Sequence, residues 1–244
     1  MNAIEIIGLT KKYDGKTAVK SLNLSLKQGE FFGLLGINGA GKTTTIKMLS
    51  CLIRPTSGDA TLLGKSILTE PQAVKEYINV SPQETAVAPN LTVRENLELI
   101  ARIYGKSRKD AKEKSTKIIK DLDLSEIENE KAKTLSGGWQ RRLSIAMALI
   151  SDPKILFLDE PTLGLDVLAR RELWSVIEKL KGKVTIILTT HYLEEAEALS
   201  DRIGIMANGE LKAVGTVAEL NAMTGKDKFE DTFIAIATEA EAIK

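Results

Sequence analysis

The chain has 244 residues, 43% of them hydrophobic and 27% charged, enough apolar material for one large domain or two small ones. A net charge of +1 supplies no basic field of the kind that marks a nucleic-acid binder, so nucleic acid is not expected as a partner. No uninterrupted apolar run approaches the ~18 residues a membrane span needs, and Cys51, the single cysteine, leaves no internal disulfide and fits a reducing compartment.

The opening "MNAIEIIGLTKK" lacks a basic segment ahead of its apolar stretch and carries Glu5 inside it, so it does not read as a signal peptide. Short β-rich segments follow one another: "AIEIIGL" (3–9), "LNLSL" (22–26) and "EFFGLLG" (30–36). The third runs into a glycine loop, with a helix expected from about Lys42 to Cys51. "RPTSGDA" (54–60) reads as a turn on its Pro, Ser and Gly content. From Leu91 to Leu149 the pattern is helical, with Val93, Leu97 and Ile100 on one face. Within that stretch "KSRKDAKEKSTKIIK" (106–120) is the densest basic run. Asp110 and Glu113 interrupt it, so it reads as a solvated helix face.

Strand-like runs return at "KILFLD" (154–159), "VTIILTT" (184–190) and "RIGIM" (202–206), with "LARRELWSVIEKL" (168–180) as a helix between two of them. "ANGELKAVG" (207–215) reads as a hairpin on its Asn-Gly turn. Alternating strands and helices predict an α/β fold with a mainly parallel sheet. The β-rich start predicts an added N-terminal antiparallel layer, and residues 91–149 an inserted helical subdomain. The expected organisation is one lobed domain over residues 1–220 and a short C-terminal extension over 221–244.

"GINGAGKTT" (36–44) fits GxxxxGK[ST] with Gly36, Gly41, Lys42 and Thr43, between an apolar strand and a helix. Such a P-loop curls its N–H groups, here from Asn38, Gly39, Ala40, Gly41 and Thr44 as well, around a phosphate chain at the positive end of the helix. Lys42 would reach the β- and γ-phosphates and the Thr43 hydroxyl would bind Mg²⁺. "ILFLDEP" (155–161) is a buried strand ending in two carboxylates. Asp159 would serve the metal, and Glu160 would polarise a water against the γ-phosphate. No NKxD base-reading motif is present, which argues against a GTPase. "LSGGWQRR" (135–142) is then a puzzle, because a Ser-Gly-Gly step into a helix is a second anion site in a chain with one phosphate loop.

"LSGGWQRRLSIAMAL" just ahead of "ILFLDEP" resembles the signature of the ATP-binding-cassette (ABC) ATPases, and the likeness covers nearly the whole chain. The resemblance implies that Tyr13 stacks on adenine and that Gln83 senses Mg²⁺ and the attacking water. It implies that "LGLD" (163–166) runs between subunits and that His191 is the switch histidine. In that family two cassettes pack head to tail, and each signature caps the nucleotide held by the other. Ser136, Gly137 and Gly138 would therefore serve a partner's ATP, which answers the puzzle. The partner would be an identical copy or a close relative.

Two positions depart from the family pattern. Trp139 stands where many members have Gln, so its indole is expected to pack against a neighbouring segment, and Ile37 replaces a common Pro. The resemblance further implies a separate transmembrane permease, docking beside the Gln83 loop at residues 84–105. That arrangement puts the chain in the cytoplasm, peripheral on the inner face of the cell membrane. "THYLEEAE" and "FEDTFIAI" (229–236) are similar to cassettes of drug, polysaccharide and sodium exporters. A soluble ABC ATPase is the alternative, but this chain lacks the long insertions or tandem cassettes of those proteins. A small-molecule kinase would leave the signature and His191 unused.

Overall fold

The structure, a computed structural model, describes residues 2–238; Met1 and positions 239–244 of the expected C-terminal extension lie outside them. The first sheet has the order β2-β1-β4-β5 and is antiparallel throughout. Its strands are β1 (Asn2–Tyr13), β2 (Lys16–Lys27), β4 (Ser57–Leu62) and β5 (Lys65–Ser66). In β1, Ile4 and Ile6 point inward, and then Leu9 does. The switch from even to odd positions comes from a bulge at Gly8, where β1 advances from Ile6 to Leu9 while β2 retreats only from Leu24 to Leu22.

The second sheet carries the chemistry. It consists of β3 (Phe31–Leu35), β6 (Ile78–Ser81), β7 (Ile155–Asp159), β8 (Thr185–Thr190), β9 (Arg202–Ala207) and β10 (Glu210–Gly215), in the order β10-β9-β3-β8-β7-β6. Every neighbouring pair is parallel except the β9–β10 hairpin, whose turn residues Asn208 and Gly209 both have positive φ (51° and 81°), as a type I′ turn requires. β3, β7 and β8 are buried at every position, because parallel strands are covered on both faces. Their side chains divide by alternation. Phe32, Leu34, Phe157 and Ile187 meet the first sheet and helix α1 (Lys42–Leu49). Phe31, Leu156, Leu158, Ile186 and Leu188 meet α5 (Gly137–Leu149) and α6 (Val167–Glu178).

The helical stretch contains α3 (Val93–Ile103), α4 (Arg108–Asp121) and α5, and surrounds a core of its own from Val93, Leu97, Ile119, Leu143 and Ala146. Thr92 and Glu95 close a capping box at the start of α3. In α4 the residues turned inward are Ala111, Ser115, Ile118 and Ile119, at helical spacing, with Lys109, Lys112, Lys117 and Lys120 left in solvent. Trp139 packs on this core, with the Arg142 guanidinium 4.3 Å from its ring centroid. At the far edge α7 (Leu193–Leu199), α8 (Val217–Thr224) and α9 (Phe229–Thr238) cover Leu35, Ile203 and Ile205 through Ala196, Leu220, Phe229 and Ile236.

Two expectations are corrected. Residues 57–60 are strand, not turn: β1 offers Ser57–Leu62 an unpaired edge, and Gly58 lets β4 approach so closely that a Cβ there would sit 2.2 Å from Gly8 O. The region from Leu91 to Leu149 is also not continuously helical. Between α4 and α5 it holds only two short 3₁₀ turns, at Ser125–Ile127 and Ala132–Thr134. One further pair was not expected, the helix α2 (Pro71–Tyr77) leading into β6, whose four residues are too few to show a period.

Candidate active site

Four loops leave the carboxyl ends of parallel strands and converge there: residues 36–41 after β3, Gln83 after β6, Glu160 after β7 and His191 after β8. They enclose a cleft of about 540 Å³ lined by Tyr13, Asn38, Gly39, Gly41, Lys42, Thr43, Thr44, Gln83, Glu160, Leu163 and His191, together with Lys16 and Ala18. Gly41 ends the loop with φ 107°, and a Cβ on it would lie 2.5 Å from Ala18 O, so only glycine fits both the turn and the close approach. Gly36 and Ala40 support the loop from behind. Gly36 O accepts from Lys42 Nζ at 2.8 Å, and Ala40 O accepts from Gly209 N at 3.1 Å, which ties the loop to the β9–β10 turn.

Lys42 is nearly buried on α1, and its Nζ also donates to Ile37 O at 3.3 Å and lies 3.3 Å from Glu160 Oε1. The other oxygen of Glu160 lies 3.3 Å from His191 Nδ1, outside hydrogen-bonding alignment. Glu160 has φ 47°, a conformation that costs a side-chain-bearing residue about 1–3 kcal/mol and that clusters at functional sites. Asp159 Oδ1 is 3.2 Å from Thr43 Oγ1. His191 stands ahead of the acidic helix rather than starting it, since α7 begins at Leu193 with Tyr192 as its cap. Tyr13 ends β1 at the rim, half exposed, with Lys11 Nζ 5.2 Å from its ring centroid.

Ser136, Gly137 and Gly138 are not part of this cleft. They start α5 on the helical lobe, where Ser136 occupies the N-cap position without a side-chain capping bond and both it and Gly137 are exposed. The first-turn N–H groups of that helix therefore have no side-chain cap.

Three residues escape sequence reasoning. Thr189, fully buried in β8, donates to Asp159 Oδ1 at 2.5 Å and accepts from Glu160 N at 3.1 Å, so one hydroxyl holds the Asp159 carboxylate and the Glu160 backbone. A threonine in a strand is ordinary, and only the β7–β8 register, which sets Asp159 opposite Thr189, reveals its task. Arg141 reaches the Gln83 loop from α5. Glu195, 0% exposed on α7, accepts from Trp174 Nε1 at 3.0 Å.

Burial pushes the Glu195 carboxyl up, against the opposing pull of Thr190, Thr162, Trp174 and Arg170. The folded chain thus holds this proton more tightly than the unfolded chain does. The associated stability is complete below the ordinary glutamate range and is lost as pH rises through the raised value. Glu195→Gln, which mimics the protonated acid, should melt above wild type at about pH 8, with the gap closing toward about pH 4. Thermal melts across that range test this, and a gap that widens on acidification contradicts it.

The glycine loop between strand and helix, the acidic strand end and a polar cleft at the carboxyl edge of a parallel sheet define a nucleoside-triphosphatase of the P-loop class. The sequence profile of the ABC transporter family matches residues 19–163, and the chain belongs to that family as an ATP-hydrolysing cassette. It is 42% identical over 226 residues to the daunorubicin/doxorubicin resistance ATP-binding protein of Streptomyces peucetius, covering 92% of this chain and 68% of that one. It is 42% identical over 220 residues to the linearmycin resistance ATP-binding protein of Bacillus subtilis, covering 90% and 71%. Among solved structures, an ATP-binding subunit of an ABC transporter superposes with a TM-score of 0.83 at 27% identity over 96% of this chain and 99% of that one. A dimeric ATP-binding cassette in a post-hydrolysis state bound to ADP and Pi superposes with a TM-score of 0.77 at 27% identity, over 87% and 98%. The expected α/β cassette fold is thus present.

Proposed function

We propose that this chain powers an exporter by pairing with a second cassette, an identical copy or a close relative, so that two ATP molecules are held between them. The observation that carries the reading is the split of phosphate-binding groups. Lys42, Thr43, Asp159, Glu160, Gln83 and His191 serve one cleft, while Ser136, Gly137 and Gly138 present uncapped donors on a separate lobe. A donor step without a side-chain cap among the described residues suits the γ-phosphate of a partner's nucleotide. The dimeric cassette among the structural relatives supports this pairing.

The donor set fits magnesium: Thr43 Oγ1 and Asp159 Oδ1 are hard oxygens 3.2 Å apart, and Gln83 lines the same cleft. Thr43 and Asp159 would hold the ion, which would supply positive charge to offset that of the triphosphate. In this reading Asn38, Gly39, Gly41 and Thr44 turn N–H groups to the phosphates, Ala40, whose N–H donates to Ile37 O at 3.2 Å, shapes the loop behind them, and Tyr13 stacks on adenine. Glu160 accepts the proton of the attacking water, His191 holds the γ-phosphate and the Glu160 carboxyl in one geometry, and Thr189 keeps Asp159 and Glu160 oriented. Closure shuts out water and strengthens each charge contact. Cleavage of the bridging phosphate removes the contact that favours the closed pair, which then opens.

The opening motion is delivered to a membrane permease at the groove on α3. Leu99 (42% exposed) and Ile103 (69% exposed) offer an apolar strip there, flanked by Glu95, Glu98 and Arg102. Among the described residues no helix is long and apolar enough to cross a membrane. The chain works from the cytoplasm, peripheral on the inner face of the membrane, through that docking. The resistance proteins among its relatives support export as the direction.

Dilution tests the shared site. ATP hydrolysis per molecule should fall steeply as the isolated chain is diluted through its dimerisation range; a rate that stays flat, with lone copies fully active, removes the proposal.

A further inference from the structure

Arg141 lies on α5, one and a half turns past Ser136, and is 5% exposed. Its guanidinium donates from Nη1 to Pro82 O and from Nη2 to Gln83 O, each at 2.5 Å, a fork gripping two consecutive carbonyls. One turn further along the same helix face, Ser144 Oγ lies 3.1 Å from Ser81 Oγ, both buried. The far end of the loop is held by α3: Asn96 Oδ1 accepts from Ala88 N at 2.8 Å, and Asn96 Nδ2 donates to Ala88 O at 3.2 Å and Thr92 O at 2.9 Å. The Gln83 loop is thus anchored at both ends to the helical lobe, although Gln83 itself lines the cleft on the sheet. A short α-helix moves as a rod, so a displacement of the Ser136 end of α5 is carried to the Arg141 fork about 7.5 Å along its axis.

We infer that Arg141 is a positioning residue that couples the two nucleotide sites of the paired cassettes. When Ser136–Gly138 dock on the partner's nucleotide, α5 shifts, and through the Arg141 fork it sets Gln83 in this chain's own cleft. The two sites then fire cooperatively. This rests on the two-chain reading proposed above.

The test compares the full-length wild type with Arg141→Gln, which keeps one donor arm, and Arg141→Lys, which keeps the charge as a single point. Steady-state hydrolysis is measured against ATP and against Mg²⁺, and nucleotide binding with a fluorescent ATP analogue. In Arg141→Gln, kcat should fall about 10- to 100-fold, the range that follows from displacing a catalytic group by an ångström. The Hill coefficient for ATP should drop to 1 and the half-saturating Mg²⁺ concentration should rise, while analogue affinity stays within about twofold and Arg141→Lys is intermediate. Wild-type kcat and cooperativity in Arg141→Gln overturn the inference, as do parallel losses of affinity and kcat, which mark a merely structural role. A wild-type rate independent of dilution removes the two-chain reading, and this inference with it, before any variant is made. If neither variant folds, hydrogen exchange on the wild-type chain decides. Amides at 83–87 and 138–144 should gain protection together on adding Mg·ATP, and protection of α5 without the Gln83 loop overturns the coupling.

Discussion

Glu160→Gln should all but stop hydrolysis, bind ATP at least as well as wild type, and accumulate as a dimer on size exclusion in Mg·ATP. The amide has the shape of the carboxylate, so it can remain between Lys42 and His191, where the acid oxygens lie 3.3 Å from Lys42 Nζ and 3.3 Å from His191 Nδ1. It cannot take a proton from water, and a positioned general base is worth about 10²–10⁴-fold in rate. Removing the carboxylate also removes a negative charge from beside the expected position of the γ-phosphate, which favours binding. With cleavage blocked, the contact that holds the closed pair persists. A variant that stays monomeric at saturating Mg·ATP, or that turns over within a few-fold of wild type, removes Glu160 from its role.

Lys42→Ala should lose ATP binding rather than turnover alone. Lys42 is a nearly buried cation whose ammonium is held by Gly36 O, Ile37 O and Glu160 Oε1 at the floor of the cleft. A charged hydrogen bond to phosphate contributes about 1.5–3 kcal/mol, so affinity should fall by roughly 10- to 150-fold. The same change leaves Glu160 buried without its partner, and breaking a buried pair from one side costs about 3–5 kcal/mol. The melting temperature should therefore drop as well. Titration with a fluorescent ATP analogue and thermal melts read the two effects separately. Retained wild-type hydrolysis contradicts the assignment of Lys42 to the phosphates.

Much of the cleft is legible along the chain because its chemistry is carried by runs of neighbouring residues. The loop 36–44 needs only a strand before it and a helix after it, and the acidic pair 159–160 needs only a strand that ends. Gln83 and His191 carry less local information and become legible through their order among the other motifs. What stays hidden is whatever depends on a partner distant in sequence. The edge of β1 turns a Ser-Gly stretch at 57–60 into strand, against its local turn composition. The acid at 195 looks like one of several on a helix, yet it is turned inward against Trp174.

By itself the amino-acid sequence determined the class of chemistry: a glycine loop with Lys42 and Thr43, followed by two strand-end carboxylates, marks a P-loop ATPase, and the Ser-Gly-Gly step identifies the family. Each depends on backbone conformations a few residues long, which local sequence controls. Only the tertiary structure decided how the groups are held: Thr189 opposite Asp159, Arg141 on the carbonyls of Pro82 and Gln83, and the signature step on a lobe away from its own cleft. Those contacts, the widest of them between residues 59 positions apart, are set by strand register and by the packing of α5 against β6. Burial energy summed over the whole core selects that arrangement, and no short stretch of the chain encodes it.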